Sequence, residues 1–248
     1  MSRLTDKAWI VAGILSISAA LILVGAGIIV STTRSETDYT SHYTTPPSAD
    51  SINAVQVAVI GDSYTSGTEV GGFGSSGWPA LLENRLYTTE HPVLVAVSGR
   101  PGSGYANPGA GNKTFGQDLE SIISADTDVV VMFGSRTDAN MRIQESAGAT
   151  YAAIRRIAPT AAIIVIAPAW INEDVPERII RLRDELKPAA MAAGAVFVDP
   201  IGEGWFFGKN SSLIGEDEIH PTNEGHKYMA NLIEPRLRDA LQLASHAR

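Results

Sequence analysis

The chain has 248 residues, 44% of them apolar and 19% charged, and its 23 glycines and 13 prolines mark a loop-rich folded protein rather than a disordered one. A formal net charge of −8 excludes the clustered Lys/Arg surface that binding a nucleic-acid backbone requires. Without a cysteine there is no disulfide framework, thiolate metal site or cysteine nucleophile, and the redox compartment is not encoded.

In chain order, the first feature is an uncharged run, AWIVAGILSISAALILVGAGIIV, over residues 8–30. As a helix it rises roughly 35 Å, enough to cross a bilayer. Arg3 and Lys7 precede it, and Arg34, Glu36 and Asp38 follow it. That basic bias predicts a cytoplasmic N-terminus over residues 1–7, a single-pass anchor over 8–30 and the remaining chain outside the membrane. The alternative is a secreted protein released by signal cleavage. A signal peptide usually has a shorter apolar core and a small-x-small site after it, whereas this run is long and leads into Ser31-Thr32-Thr33-Arg34. Residues 31–51 are Ser/Thr-rich with Pro46-Pro47 and no apolar period, as in an extended linker. The folded domain is expected over residues 52–248.

Short apolar runs then alternate with helical patterns. VQVAVI (55–60), VLVAV (93–97), DVVVMF (128–133), AIIVIA (162–167) and AVFVD (195–199) read as five buried strands. Helices are predicted at 78–87, 118–124, 141–157, 176–193 and from 223 to about 243. This βαβ series implies an α/β fold, a three-layer α/β/α sandwich on a five-stranded parallel sheet, with functional residues just beyond the carboxyl ends of the strands.

The first strand runs into Gly61-Asp62-Ser63-Tyr64, which puts Ser63 on the turn where a hydroxyl can face the ligand crevice and a backbone N–H can bind an oxyanion. Taken alone, Gly-Asp-Ser is an ordinary turn or helix cap. A partner stands near the C-terminus in Asp217-Glu218-Ile219-His220-Pro221. A carboxylate three residues before a histidine on a tight loop can take the imidazole Nδ1–H, leaving Nε2 to accept a serine proton. His42, His91 and His246 read as surface residues, and His226 reads as packing or capping inside the last helix. Asp199, after the fifth strand, is a reserve acid whose ordinary role is to cap a turn. The glycines at 99, 102 and 104 lack both the G-x-G-x-x-G spacing and a following Gly-Lys-Ser/Thr, so a phosphate cradle is disfavoured.

GDSY after the first strand, the Gly-rich turn after the second, a Gly turn after the third and DEIHP before the last helix together resemble the SGNH hydrolase superfamily, the GDSL-like esterases and lipases. In overall style the chain resembles exported actinobacterial members of that superfamily. The resemblance covers residues 55 to about 243. It implies a flavodoxin-like fold and a serine esterase without metal or organic cofactor. Ser63 would be the nucleophile, with Asp217 and His220 completing the triad. The oxyanion hole would combine the Ser63 N–H, Gly102 or its neighbour Gly104, and the residue at 137. There the chain departs from the family pattern, because Gly134-Ser135-Arg136-Thr137-Asp138 has Thr137 where an asparagine is usual. Arg136 and Asn140 are the nearby replacements.

Trp170 after the fourth strand and Trp205 after the fifth are candidate crevice-lining residues, with core packing as the plain alternative. The function implied is a serine esterase or O-deacylase acting on carboxylic esters of acylated glycans or lipids in the envelope or extracellular space. An acyltransferase using the same triad and a non-catalytic surface binding module of the same fold are the alternatives. The partners implied are an ester substrate and, through the N-terminal helix, a membrane.

Overall fold

The computed structural model describes residues 54–87 and 92–246. The anticipated anchor over 8–30 and linker over 31–51 lie outside these residues. Among the described residues, no helix is long and apolar enough to cross a membrane.

Five strands form the centre: β1 (Val55–Gly61), β2 (Val93–Gly99), β3 (Val129–Phe133), β4 (Ala162–Ile166) and β5 (Val196–Val198). They pair only in parallel, in the order β2-β1-β3-β4-β5, with Val57 opposite both Val95 and Val129. Parallel strands need helical crossovers, and those crossovers cover both faces, which is why the strands are apolar on both sides. Alternate side chains of each strand enter opposite layers. Val57, Val59, Val131, Phe133, Ile164 and Ile166 meet α2 (Trp78–Leu86) and α6 (Asn223–His246) through Trp78, Leu82, Met229, Ile233 and Leu237. Ala58, Ile60, Val130, Met132, Ile163 and Val165 meet α4 (Gln144–Ile157) and α5 (Glu177–Ala192) through Tyr151, Ile154, Leu182 and Leu186. This is the five-stranded parallel sheet with flanking helices that the strand pattern implies.

The departures are local. A one-turn helix, α1 (Ser63–Ser66), follows β1 directly. The helix anticipated at 118–124 is a 3-10 turn, Phe115–Gln117, followed by the single turn of α3 (Leu119–Ile122). The helix anticipated from 141 starts at Gln144, because a 3-10 turn (Arg136–Asn140) closes on an extended Met141. β5 shrinks to three residues, and Val196 is half exposed on that edge, where short strands limit unwanted pairing.

With β1 between β2 and β3, the chain leaves β1 at the point where the strand order reverses. Crevices in such sheets open there, beyond the carboxyl ends. The loops after β1, β2 and β3 therefore converge on one opening.

Candidate active site

Ser63 is the first residue of α1, and Asp62 caps it by accepting the Tyr64 N–H at 2.9 Å. The strand-to-helix turn is tight. A Cβ on Gly61 would lie 2.1 Å from the Thr65 hydroxyl, and one on Gly99 would lie 2.7 Å from the Ser66 backbone, so only glycine lets β1 and β2 end this close to α1.

The second loop returns from Leu213 to Thr222 as a narrow hairpin. Gly215 N–H donates to His220 O at 2.9 Å, Thr222 N–H donates to Leu213 O at 2.8 Å, and Glu218 turns the tip with φ +54°. Inside it, Asp217 Oδ1 accepts the N–H groups of Ile219 at 3.0 Å and His220 at 2.9 Å. Its other oxygen lies 2.6 Å from His220 Nδ1, and His220 Nε2 lies 3.0 Å from Ser63 Oγ. Partial burial works to raise the Asp217 carboxyl, but the His220 N–H, the His220 ring and the Ile219 N–H together hold it below its ordinary value. Asp217 thus shapes its loop and orients the imidazole at once.

Two donors from elsewhere hold the same loop. Tyr64 Oη donates to Ile219 O at 2.7 Å, and Arg136 Nη2 donates to that oxygen at 3.0 Å. The carbonyl immediately before His220 is therefore tied to the residue after Ser63 and to the turn after β3. The Arg136 guanidinium lies 5.0 Å from the Tyr64 ring centre and 5.3 Å from that of Trp170.

The third loop supplies Gly102, which has φ +74° in a turn closed by Ser103 N–H to Arg100 O at 3.0 Å. The backbone N–H groups of Ser63 and Gly102 make no hydrogen bond among the described residues, which leaves both available to an oxyanion. Thr137 does not extend that pair in the way expected of it. Its hydroxyl donates to Gly102 O at 2.9 Å, an oxygen that also accepts Asn107 Nδ2 at 2.7 Å. Threonine is too short to hold the loop and also present a proton to the crevice, so here it supports Gly102. Ser135 Oγ links this contact to Asp62, standing 2.8 Å from Thr137 Oγ1 and donating to Asp62 Oδ2 at 2.6 Å. Burial pushes the Asp62 carboxyl up, and the Ser135 and Tyr64 bonds oppose that shift. Asn140 ends the turn as an exposed residue.

Two expected crevice residues lie elsewhere. Gly104 donates its N–H to Asn107 O at 2.9 Å, and a Cβ there would lie 2.3 Å from Asp138, so it packs inside its loop. Trp205 is buried in the core edge-on to Phe133, with Nε1 donating to Glu203 at 2.8 Å, because a large apolar ring gains more from the sheet face than from a wet cleft. Trp170 and Arg136 remain half-buried at the rim. Asp199 caps its own turn through Gly202 N–H at 2.9 Å, and His226 is wholly buried, accepting the Trp78 N–H on Nδ1 at 3.4 Å.

Asp138 is a residue that motif reading passes over. Its buried carboxylate accepts the N–H groups of Tyr105 at 2.7 Å, Ala106 at 3.1 Å and Asn107 at 2.8 Å, clamping the Gly-rich loop. Burial raises its carboxyl and those three bonds counter the effect. The one signal in the sequence is an acid in the short segment after the third strand, which is a weak one.

A model of the GDSL-like Lipase/Acylhydrolase family matches residues 59–228. A GDSL lipase of Mycobacterium tuberculosis is 41% identical over 185 residues, covering 72% of this chain and 80% of that relative. Among solved structures, a phospholipase A1 from Streptomyces albidoflavus has a TM-score of 0.56 at 15% identity, over 75% of this chain and 99% of that one. An extracellular lipase from Streptomyces rimosus has a TM-score of 0.51 at 16% identity, over 75% and 99%. Likeness at those identities speaks to fold alone, whereas the family match spans more than half the chain and includes all three loops. This chain belongs to the GDSL-like lipase/acylhydrolase family and is an ester hydrolase.

Proposed function

We propose that the chain is a serine esterase that deacylates carboxylic esters through an acyl-enzyme on Ser63. The observation that carries this reading is the continuous relay from Asp217 to His220 at 2.6 Å and from His220 to Ser63 at 3.0 Å. In this mechanism Ser63 Oγ attacks the ester carbonyl carbon while His220 Nε2 takes the hydroxyl proton, and Asp217 stabilises the imidazolium. The carbonyl oxygen becomes an oxyanion and is met by the N–H groups of Ser63 and Gly102. Collapse breaks the C–O bond, His220 gives its proton to the departing alkoxide, and the acyl group stays on Ser63. Water then attacks with the same base, releasing the acid and restoring the serine.

The substrate class proposed is acylated glycans or lipids of the envelope or extracellular space. It is supported by the uncharged run over residues 8–30 with Arg3 and Lys7 before it, which favours a tethered domain facing outward. The test is hydrolysis of short and medium p-nitrophenyl esters by residues 51–248, beside Ser63→Ala with matched unfolding curves. Wild-type turnover that falls at least a thousandfold in the variant is the expected outcome. A fluorophosphonate probe should label the wild type at Ser63. Folded wild-type protein that neither turns over esters nor labels would overturn the assignment.

A further inference from the structure

Arg136 stands in the active-site rim with a hydrogen-bonding edge that the fold does not use. Its guanidinium carbon lies 5.0 Å from the ring centre of Tyr64 and 5.3 Å from that of Trp170, and Nη2 donates to Ile219 O at 3.0 Å. These contacts account for the two ring approaches and for one nitrogen of the guanidinium. Among the described residues, no carboxylate forms an ion pair with Arg136 and its other N–H groups make no hydrogen bond. Other arginines do pair with carboxylates. Arg100 pairs with Asp118, Arg142 with Glu185, Arg236 with Glu203 and Arg238 with Glu234. The location is equally specific, since Tyr64 follows the nucleophile, Ile219 precedes the histidine and Thr137 touches the Gly102 loop.

We propose that Arg136 forms an anion-binding subsite that selects esters carrying a carboxylate or phosphate near the scissile bond. The guanidinium is a planar fork that matches such oxyanions with two parallel hydrogen bonds. The two ring contacts and the bond to Ile219 O already hold the guanidinium, so binding an anion immobilises little further. The half-buried position keeps the edge within reach of a substrate, and the neighbouring rings lower the local dielectric and strengthen the pairing. This subsite rests on the esterase reading of Ser63, because it acts on the substrate of that serine.

The experiment compares kcat/KM for charged and neutral esters matched in length. One pair places the anion on the acyl half, with mono-p-nitrophenyl glutarate against p-nitrophenyl pentanoate. The other places it on the alcohol half, with dihexanoyl phosphatidylglycerol against dihexanoylglycerol, both monomeric. In at least one pair the wild type should favour the anion by roughly tenfold, as expected for a charge-assisted bond in a partly dry site. The preferred pair identifies which half carries the anion. The preference should fall with added salt, disappear in Arg136→Gln and survive partly in Arg136→Lys, which keeps the charge without the fork. Turnover of neutral esters with no anionic preference in either pair would overturn the subsite while leaving the esterase intact. Preference that persists in a folded Arg136→Gln would also overturn it. If that variant does not fold, the wild-type ratios and their salt dependence decide. Absence of turnover on every ester is the separate failure of the Ser63 reading.

Discussion

Tyr64 fills the position beside the nucleophile, and its hydroxyl reaches 155 residues along the chain to the carbonyl before His220. Burial pushes that phenol well above its ordinary range, so at neutral pH it stays a proton donor. Tyr64→Phe keeps the ring, its edge-on contact with Phe133 and its face toward Arg136, and removes only the bond to Ile219 O. Tyr64 therefore positions the general base rather than touching the substrate. The expected result is a fall in kcat of about tenfold with KM nearly unchanged, since a loosened base costs on the order of 1 kcal/mol in the transition state. A change confined to KM would place the hydroxyl in substrate binding instead. The residues that motif reading singles out are those tied by short spacing, as Asp217 and His220 are by three positions on one turn. Tyr64 with Ile219, Asp138 with Tyr105 to Asn107, and Thr137 with Gly102 are pairs made by the tertiary fold. Their spacing in the chain does not announce them as partners.

At the scale of elements, the strands are legible because each is a short apolar run whose two faces both meet helices. The breaks between helices are less so, since a 3-10 turn such as Arg136–Asn140 differs from an α-helix by a few backbone angles set by side-chain anchors. The junction of α2 and α6 gives an element-scale test. His226 of α6 is wholly buried, takes the Trp78 N–H of α2 on Nδ1, and its ring fills the space above Gly72, where a Cβ would lie 2.0 Å away. Burial, reinforced by the charge of His220, lowers its imidazole from the ordinary 6.5 to about 4. Between those values the unfolded chain binds a proton that the folded chain does not, so stability rises with pH across that window. Stability is lost as pH falls from about 6.5 to about 4, by on the order of 3 kcal/mol, and this loss stops growing below the folded value. Urea unfolding at neutral and mildly acidic pH should show this loss in the wild type. In His226→Asn, which keeps an acceptor for Trp78 without a titrating ring, most of it should vanish. An equal loss in both proteins would assign the acid sensitivity to other groups.

For the whole molecule, the order β2-β1-β3-β4-β5 gathers the nucleophile, the Gly-rich loop and the Arg136 turn at the carboxyl ends of neighbouring strands, and the loop leading into α6 brings the base in from the far end of the chain. Fold class follows from the alternation of elements together with the handedness of crossovers, which leaves few topologies to choose among. Among the described residues, both core layers are built from positions between 57 and 240. The proposed tether then becomes a separable property. A protein consisting of residues 52–248 should stay in the aqueous phase and hydrolyse soluble esters with kcat/KM within about twofold of the full chain in detergent, because catalysis draws only on the loops described. The full chain should sediment with membranes, resist extraction by alkaline carbonate and release an active fragment when intact cells are treated with a protease that cuts in residues 31–51. Protein recovered from the culture fluid after expression of the full chain, and found shortened by cleavage after residue 30, would replace the anchor with a cleaved export signal. Protection of the 52–248 region from protease in intact cells would put the domain on the inner side and reverse the orientation inferred from Arg3 and Lys7.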